Sequence, residues 1–513
     1  MTLRAALLLV LAAGAACADE VGDLEGDAGA LADAGGAASD GGRAGTDGES
    51  DAGLSDAGLV DDDPFAPRPD TSEGLTNVST NLRALLENGA LDTACEDYAR
   101  DPSDRRKRLL CGKAMFFYED FGTGGIPALL IDFLTENFPA EVGPGFERMG
   151  MVADPYSRER RPLGLAPGEP TGAVDNLVFT CAACHFAALS DGRYAVGAPN
   201  FDYDYGGQIL AIGLVPAAAA PGFDTAEHAP SALAKVQPLL DRLSGDTGLR
   251  IRLLVNLIPL LGQTQPTLTL EQEAQYASWP KGTMDFLIDP LPLDDGVHTV
   301  SKIIDLWDLP DEAELERVGQ PHALLAWSGV GPSLMRFLET FVAIGGGDTA
   351  AWTPERLLPL AEYIESLRSP ANLNPPSGDP LGRGAELFRR DCLGCHGGPR
   401  GGGDRVYTFA EMGTDDTLRD WGAPDAEGNY CCDLSYRGEQ ATYGVKSPRL
   451  SGLWAKPRLL HNGGVVGLEA LFCLDGPRPP VTLDGLGAQG HEDLCTTYDP
   501  NQKAALIDYL RNL

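Results

Sequence analysis

Apolar residues recur at helical spacing in two stretches that resemble each other. Thr353-Pro354 supplies a helix start, and Leu360, Tyr363, Ile364 and Leu367 then fall on one face. The last residues repeat the arrangement with Leu506, Tyr509, Leu510 and Leu513 in KAALIDYLRNL. Ahead of that second stretch, Gly382 opens GRGAELFRRDCLGCH, which reads as another helix. The same spacing predicts helices over 79–87, 126–137, 231–243, 248–261 and 331–343. Period-two alternation is sparse. The pattern therefore predicts a mainly α fold with long irregular loops rich in Gly and Pro.

The punctuation between these elements predicts domains. Residues 369–380 read SPANLNPPSGDP, whose four prolines with Asn, Ser and Gly mark a linker. The expected organisation is a signal peptide over 1–17, an acidic tether over 18–78, a first domain over 79–369, a Pro-rich linker over 370–380 and a second domain over 381–513. Residues 18–63 hold fourteen acids against one base, Arg43, and Asp-Ala-Gly recurs at Asp27, Asp33, Asp51 and Asp56. Such a segment has too little apolar surface to offset the entropy of ordering, so disorder is expected. It carries part of a formal net charge of −36, and the rest of the chain is still acidic. That charge argues against a nucleic-acid partner. A basic redox protein remains a possible partner, although acidity by itself provides solubility.

The first residues have Arg4 as their only charge, then an apolar run and small residues up to Cys17, the pattern of an export signal. Gly14-Ala15-Ala16-Cys17 is close to a lipoprotein box, so two outcomes stay open: lipidation of Cys17 or plain secretion. The run is too short to span a membrane. The expected location is the periplasm, the outer membrane or the cell surface, with membrane contact only through a lipid on Cys17.

The candidate chemistry lies in two copies of Cys-x-x-Cys-His, at Cys181–Cys184–His185 and Cys392–Cys395–His396. This is the spacing of covalent c-type haem attachment. Two thiols about one helical turn apart add across two porphyrin vinyl groups, and the following imidazole takes the iron. Disulfides or zinc built from the same residues fit less well, because zinc takes four clustered ligands. Two covalently bound haems are therefore expected, with His185 and His396 as iron ligands. Cys95, Cys111, Cys431, Cys432, Cys473 and Cys495 remain. In an exported protein they predict disulfides: Cys95 with Cys111, and Cys431 and Cys432 with Cys473 and Cys495 in some order.

Several patches resemble the di-haem c-type cytochromes related to bacterial rubber oxygenase, and through them the di-haem cytochrome c peroxidases. They are Gly124-Gly125-Ile126-Pro127, the segment 146–151, Arg161-Pro162-Leu163-Gly164, Gly197-Ala198-Pro199-Asn200, Ala326-Trp327-Ser328-Gly329 and Gly413-Thr414-Asp415. The most specific is PRLSGLWAKPRLLHNGGVVGLEALF over 448–472. The resemblance implies two cytochrome c-like haem domains, each with a closing helix packed across an opening one. It implies dioxygen or peroxide chemistry at the first haem, on His185, and electron transfer or storage at the second. His461 is then the second axial ligand opposite His396, with Met412 or a vacant position as alternatives. The chain departs from the rubber enzymes in having only 65 residues between His396 and His461, and nothing in it marks a polyisoprene channel.

The resulting expectation is an exported haem-dependent oxidoreductase with an unknown reductant or organic substrate. A pure electron carrier and a haem-based ligand sensor are the alternatives. Among the other candidates, His228 and His298 read as solvated, His322 as a weak candidate near the first haem, and His491 as a lone histidine. Met284 and Met335 are methionines in the right domain for the first haem. Trp327 and Trp454 are candidates for aromatic packing at the haems.

Overall fold

The computed structural model describes residues 65, 68–158, 161–260, 268–285, 300–317, 325–329, 333–376, 382–402, 405–419, 443–478 and 485–513. Within them one helix crossing occurs twice. The first pairs Arg105–Tyr118 with Pro354–Glu365. Asp104 caps the former by accepting from the Lys107 N–H at 3.2 Å, and Pro354 begins the latter where an N–H has no helical partner. Gly112 sits at the crossing. A Cβ there would stand 2.0 Å from the Pro359 carbonyl oxygen and 2.6 Å from Tyr363 Cβ, so only hydrogen allows the backbones this close. One turn on, Phe116 meets the Tyr363 ring edge-on at 6.0 Å.

The second crossing, of Arg383–Asp391 with Pro500–Leu510, repeats this position by position. A Cβ on Gly384 would stand 2.1 Å from the Ala505 carbonyl oxygen and 2.7 Å from Tyr509 Cβ, and Phe388 meets Tyr509 at 5.3 Å. Asp499 and Gln502 form a reciprocal capping box at its closing helix. GKAMF against PLAEY and GAELF against ALIDY are one device used twice. The sequence pattern predicts both closing helices and the opening helix at 383. It does not pick out Arg105–Tyr118, whose apolar face is interrupted by Lys113. That side chain is fully buried and donates to the Thr76 and Leu85 carbonyls at 2.6 Å each.

The crossings differ in how each opening helix leads to its motif. Cys392 is the C-cap residue of its opening helix, so motif and helix are continuous. After Tyr118 the chain instead makes the helix Ala128–Asn137 and the antiparallel pair Leu165–Thr171 and Val174–Phe179, with Ile126–Pro127 on the pair's edge. It then returns to its starting point. Thr180 donates through Oγ1 to the Phe117 carbonyl at 3.2 Å, and Phe186 packs on Phe117 at 5.2 Å. Beyond the motif, Tyr205–Ala219, Pro230–Gly245, Thr247–Asn256 and Leu270–Ser278 pack together and bury a second apolar cluster.

Most expected helices are present with shifted ends: Ala128–Asn137, Pro230–Gly245, Thr247–Asn256 and Leu334–Ile344. The one expected over 79–87 shortens to Leu82–Leu85 followed by a 3-10 turn. The fold is mainly helical, with short strands. No helix among the described residues is long and apolar enough to cross a membrane.

Two expectations need correction. The tether does not run to residue 78. Leu75 is buried, Val78–Ser79 pairs with Tyr194–Val196, and Arg68 donates to the Leu309 carbonyl at 2.8 Å, so the packed chain begins about ten residues earlier. Residues 1–17 and nearly all of the remaining tether lie outside the described residues. Cys95–Cys111 is bonded as expected, but Cys473 pairs with Cys495 and not with Cys431 or Cys432, which lie outside the described residues. Local packing explains the pairing. Phe472 and Leu494 share one apolar cluster, and Arg478 closes the loop between them by donating to the carbonyls of Leu471, Ala488, Gly490 and His491.

Candidate functional site

Each motif is a short helical turn whose histidine is oriented by a backbone carbonyl. His185 ends the helix Cys181–His185, and its Nδ1 donates to the Ile304 carbonyl at 2.9 Å. His396 ends Leu393–His396, and its Nδ1 donates to the Gly401 carbonyl at 2.7 Å. A carbonyl only accepts, so each Nδ1 carries a proton and each Nε2 is the nitrogen a metal would take, although the Pro448 carbonyl also acts on the His396 ring. Burial pushes both imidazoles down to about 4, which keeps them neutral, the form that ligates.

The first motif is held from several directions. Gly164 lies so close that a Cβ on it would stand 2.4 Å from the Ala183 nitrogen. The patch Gly197–Asn200 closes the other end: Gly197 N–H donates to the His185 carbonyl at 2.7 Å, and Asn200 N–H to the Cys184 carbonyl at 2.8 Å. Burial raises both thiols to about 12. The Met284 sulfur is 3.5 Å from Cys184 Sγ, so one methionine candidate does lie at this motif. Met335 packs at the edge of the other cluster of the first half, the one that holds Cys181. Residues 286–299 and 318–324 lie outside the described residues, and His298 and His322 with them.

The second motif opens on a cavity of about 490 Å³ lined by Cys392, Cys395, His396, Met412, His461 and His491. His461 reaches it from a loop in which Leu460 (φ 65°) and Gly463 (φ 76°) are both left-handed. The loop is anchored by the Lys302 N–H, which donates to the His461 carbonyl at 3.1 Å, and by Asn462, whose Nδ2 donates to the Gly487 carbonyl at 3.0 Å. Phe409 supports the ring edge-on at 5.8 Å. The His461 imidazole is 5% exposed, and among the described residues neither ring nitrogen has a hydrogen bond. Burial holds it down to about 4, so it too is neutral. A haem suits this donor set: two thiols, one imidazole with a fixed tautomer, and a second imidazole with both nitrogens unengaged. The first motif has the same two thiols and fixed imidazole, buried in the apolar clusters around them. Among the described residues no group of three or more His, Cys, Asp or Glu side chains converges to hold a metal ion by itself.

Three placements differ from the sequence reading. His228 is mostly buried and its Nδ1 donates to the Glu273 carboxylate at 2.7 Å, because Glu273 is itself buried and also accepts from the Ala229 N–H. His491 is not isolated, since it joins His396 and His461 at one cavity. Trp454 donates to the Pro370 carbonyl at 3.0 Å with Arg193 over its ring, so it fastens the linker, whereas Trp327 does line the cavity.

Sequence reasoning missed the charged wall of the cavity altogether. Asp305 is buried and carries Lys456 Nζ at 2.8 Å and Arg449 at 3.8 Å. Burial opposes its ionisation, but the Lys456 and Arg449 charges still hold its carboxyl below the usual range. Lys302 and Lys446 lie beside it, and burial drives each of them down to about 7. The available signal was the presence of Lys446, Arg449 and Lys456 inside an apolar run shortly before His461.

No family model and no curated protein matches this chain. Among solved structures it has a likeness to a chain of Kuenenia stuttgartiensis hydrazine synthase pressurised with xenon. The identity is 17%, the TM-score is 0.25, and the match covers 47% of this chain and 79% of that one. A likeness of that size carries no argument about this protein.

Proposed function

We propose that the protein is a di-haem c-type oxidoreductase, with the first haem held by Cys181, Cys184 and His185 and the second by Cys392, Cys395, His396 and His461. The observation that carries this reading is the cavity at the second motif, where two thiols and two neutral imidazoles meet, one of them with its Nδ1 committed to Gly401. Bound haem would supply iron for one-electron exchange and, where a coordination position stays open, for reaction with dioxygen or hydrogen peroxide.

The chain's own residues set the terms of that chemistry. The Ile304 and Gly401 carbonyls fix the orientation of His185 and His396 and make each Nε2 a better donor. His461, held by Lys302 and Asn462, would supply a second imidazole to a haem at the second site. No histidine is placed for that role among the described residues at the first. Peroxide or oxygen chemistry at the first site and electron storage at the second are what the resembled family suggests. The Met284 sulfur beside Cys184 favours one competing reading: an electron carrier with both irons capped, the first by a thioether. Export to the periplasm or cell surface belongs to the same proposal, because c-type haem is attached there in bacteria.

Absorption and EPR spectra of the purified oxidised protein test it. The expected result is two covalently bound haems, one high-spin and one low-spin, with carbon monoxide binding at one ferrous iron. Two low-spin haems that ignore carbon monoxide would establish the carrier instead. Absence of covalent haem would overturn both.

A further inference from the structure

We propose that Lys302, Lys446, Arg449 and Lys456 form a receptor for two carboxylates on the ligand of the His396–His461 cavity, which in a haem are the propionates. The inference rests on the haem reading above. Four cations and one carboxylate, Asp305, line one wall of a cavity in a chain of net charge −36. Buried charge is costly unless it is paired. Asp305 accounts for Lys456 and Arg449. Lys302 spends one bond on the Arg458 carbonyl at 2.9 Å and lies over the Trp327 ring at 5.0 Å, neither of which supplies a negative charge. Lys446 has no side-chain hydrogen bond or ion pair among the described residues, although it is 8% exposed. Lys302 and Lys446 are therefore the two cations of this wall that have no carboxylate partner among the described residues.

The rest of the cavity limits what answers them. Its walls are apolar, with Leu450, Leu468, Phe472 and Leu506 among them. The acids that act on the Cys392 thiol are Asp391 and Asp493, while Lys446 faces Arg449, Asp305 and Lys456, so the cations gather away from the thiol. An apolar disc attached to thiols along one edge and bearing two carboxylates on another is complementary to this layout. A small free carboxylate or phosphate has the same charge chemistry, but leaves the apolar walls without a partner.

The test uses the holoprotein carrying Lys446→Gln. Losing a cation beside the propionates favours the ferric state. The reduction equilibrium of the second haem is therefore expected to move about tenfold towards the oxidised form, about 59 mV more negative. The propionate bending band in the resonance Raman spectrum should move with it. Lys446→Arg should restore both, and Lys302→Gln carries the same expectation if Lys446→Gln does not accumulate. A potential and a band unmoved in both glutamine variants overturn the assignment while two covalent haems remain. Absence of haem on Cys392 and Cys395 overturns the haem reading instead. If acetate or phosphate shifts the potential of the wild type but not of Lys446→Gln, with the band unmoved, the cations serve a free anion and the assignment to propionates falls.

Discussion

The two Cys-x-x-Cys-His turns are built alike and supported differently. Both histidines donate from Nδ1 to a carbonyl, and in both halves of the molecule a Gly–Phe face on one helix meets a Tyr on another. At the second motif the carbonyl belongs to Gly401, five residues from His396, and the opening helix runs straight into Cys392. At the first, the carbonyl is that of Ile304, 119 residues away, and the opening helix ends at Tyr118, far ahead of Cys181. The second site is local in sequence, while the first is assembled from distant segments. The same chemical device can thus be reached by continuity or by long-range packing, and only continuity is easily read.

The strongest test of this comparison removes each attachment in turn. Cys392→Ala with Cys395→Ala, and separately Cys181→Ala with Cys184→Ala, should each reduce a pyridine haemochrome count from two haems per chain to one. A count of two in either variant would remove that motif from the proposal. Next in size is His461→Ala. It should turn the second haem high-spin and open it to carbon monoxide, leaving the spectrum of the first largely unchanged. An unchanged low-spin signal would pass the role to Met412 or His491, which line the same cavity.

Smaller effects probe the frames. Cys473 and Cys495 are 22 residues apart, and replacing both with Ser should cost about 2–4 kcal/mol through the freed loop. Equilibrium denaturation of the variant would show it, and a change below ~0.5 kcal/mol would mean that Arg478 and the apolar packing hold the loop unaided. Gly112→Ala and Gly384→Ala should each destabilise by about 1–3 kcal/mol, since a methyl must enter the space of a carbonyl. If only one of them does, the two crossings are not equivalent.

Legibility in the sequence divides along the same line. Both closing helices were legible because Leu360, Tyr363 and Ile364, and Leu506, Tyr509 and Leu510, keep helical spacing beside proline caps. The opening helix Arg105–Tyr118 was not, because Lys113 breaks its apolar face and finds its partners, the Thr76 and Leu85 carbonyls and Glu87, outside the helix. The two Cys-x-x-Cys-His turns were legible from spacing, and the interest of His461, which lines the second cavity, from a family patch. The partnership of His185 with Ile304 was not, since nothing local marks a carbonyl 119 residues away. The cations were missed for a different reason. Nothing local singles out Lys302, Lys446 and Lys456, which the fold buries around Asp305, and pairing across such distances leaves no periodic trace.

The run from Lys302 to Asp305 has a consequence for how the molecule fails. Its Lys302 N–H holds the loop of His461, its Ile304 carbonyl holds the ring of His185, and its Asp305 gathers Lys456 and Arg449. One four-residue run thus serves both sites. Loosening that run releases both histidines together, so thermal melting should proceed as one cooperative event across the two halves. Cutting the chain at the linker should not yield a working second half, because one wall of its cavity would leave with the first.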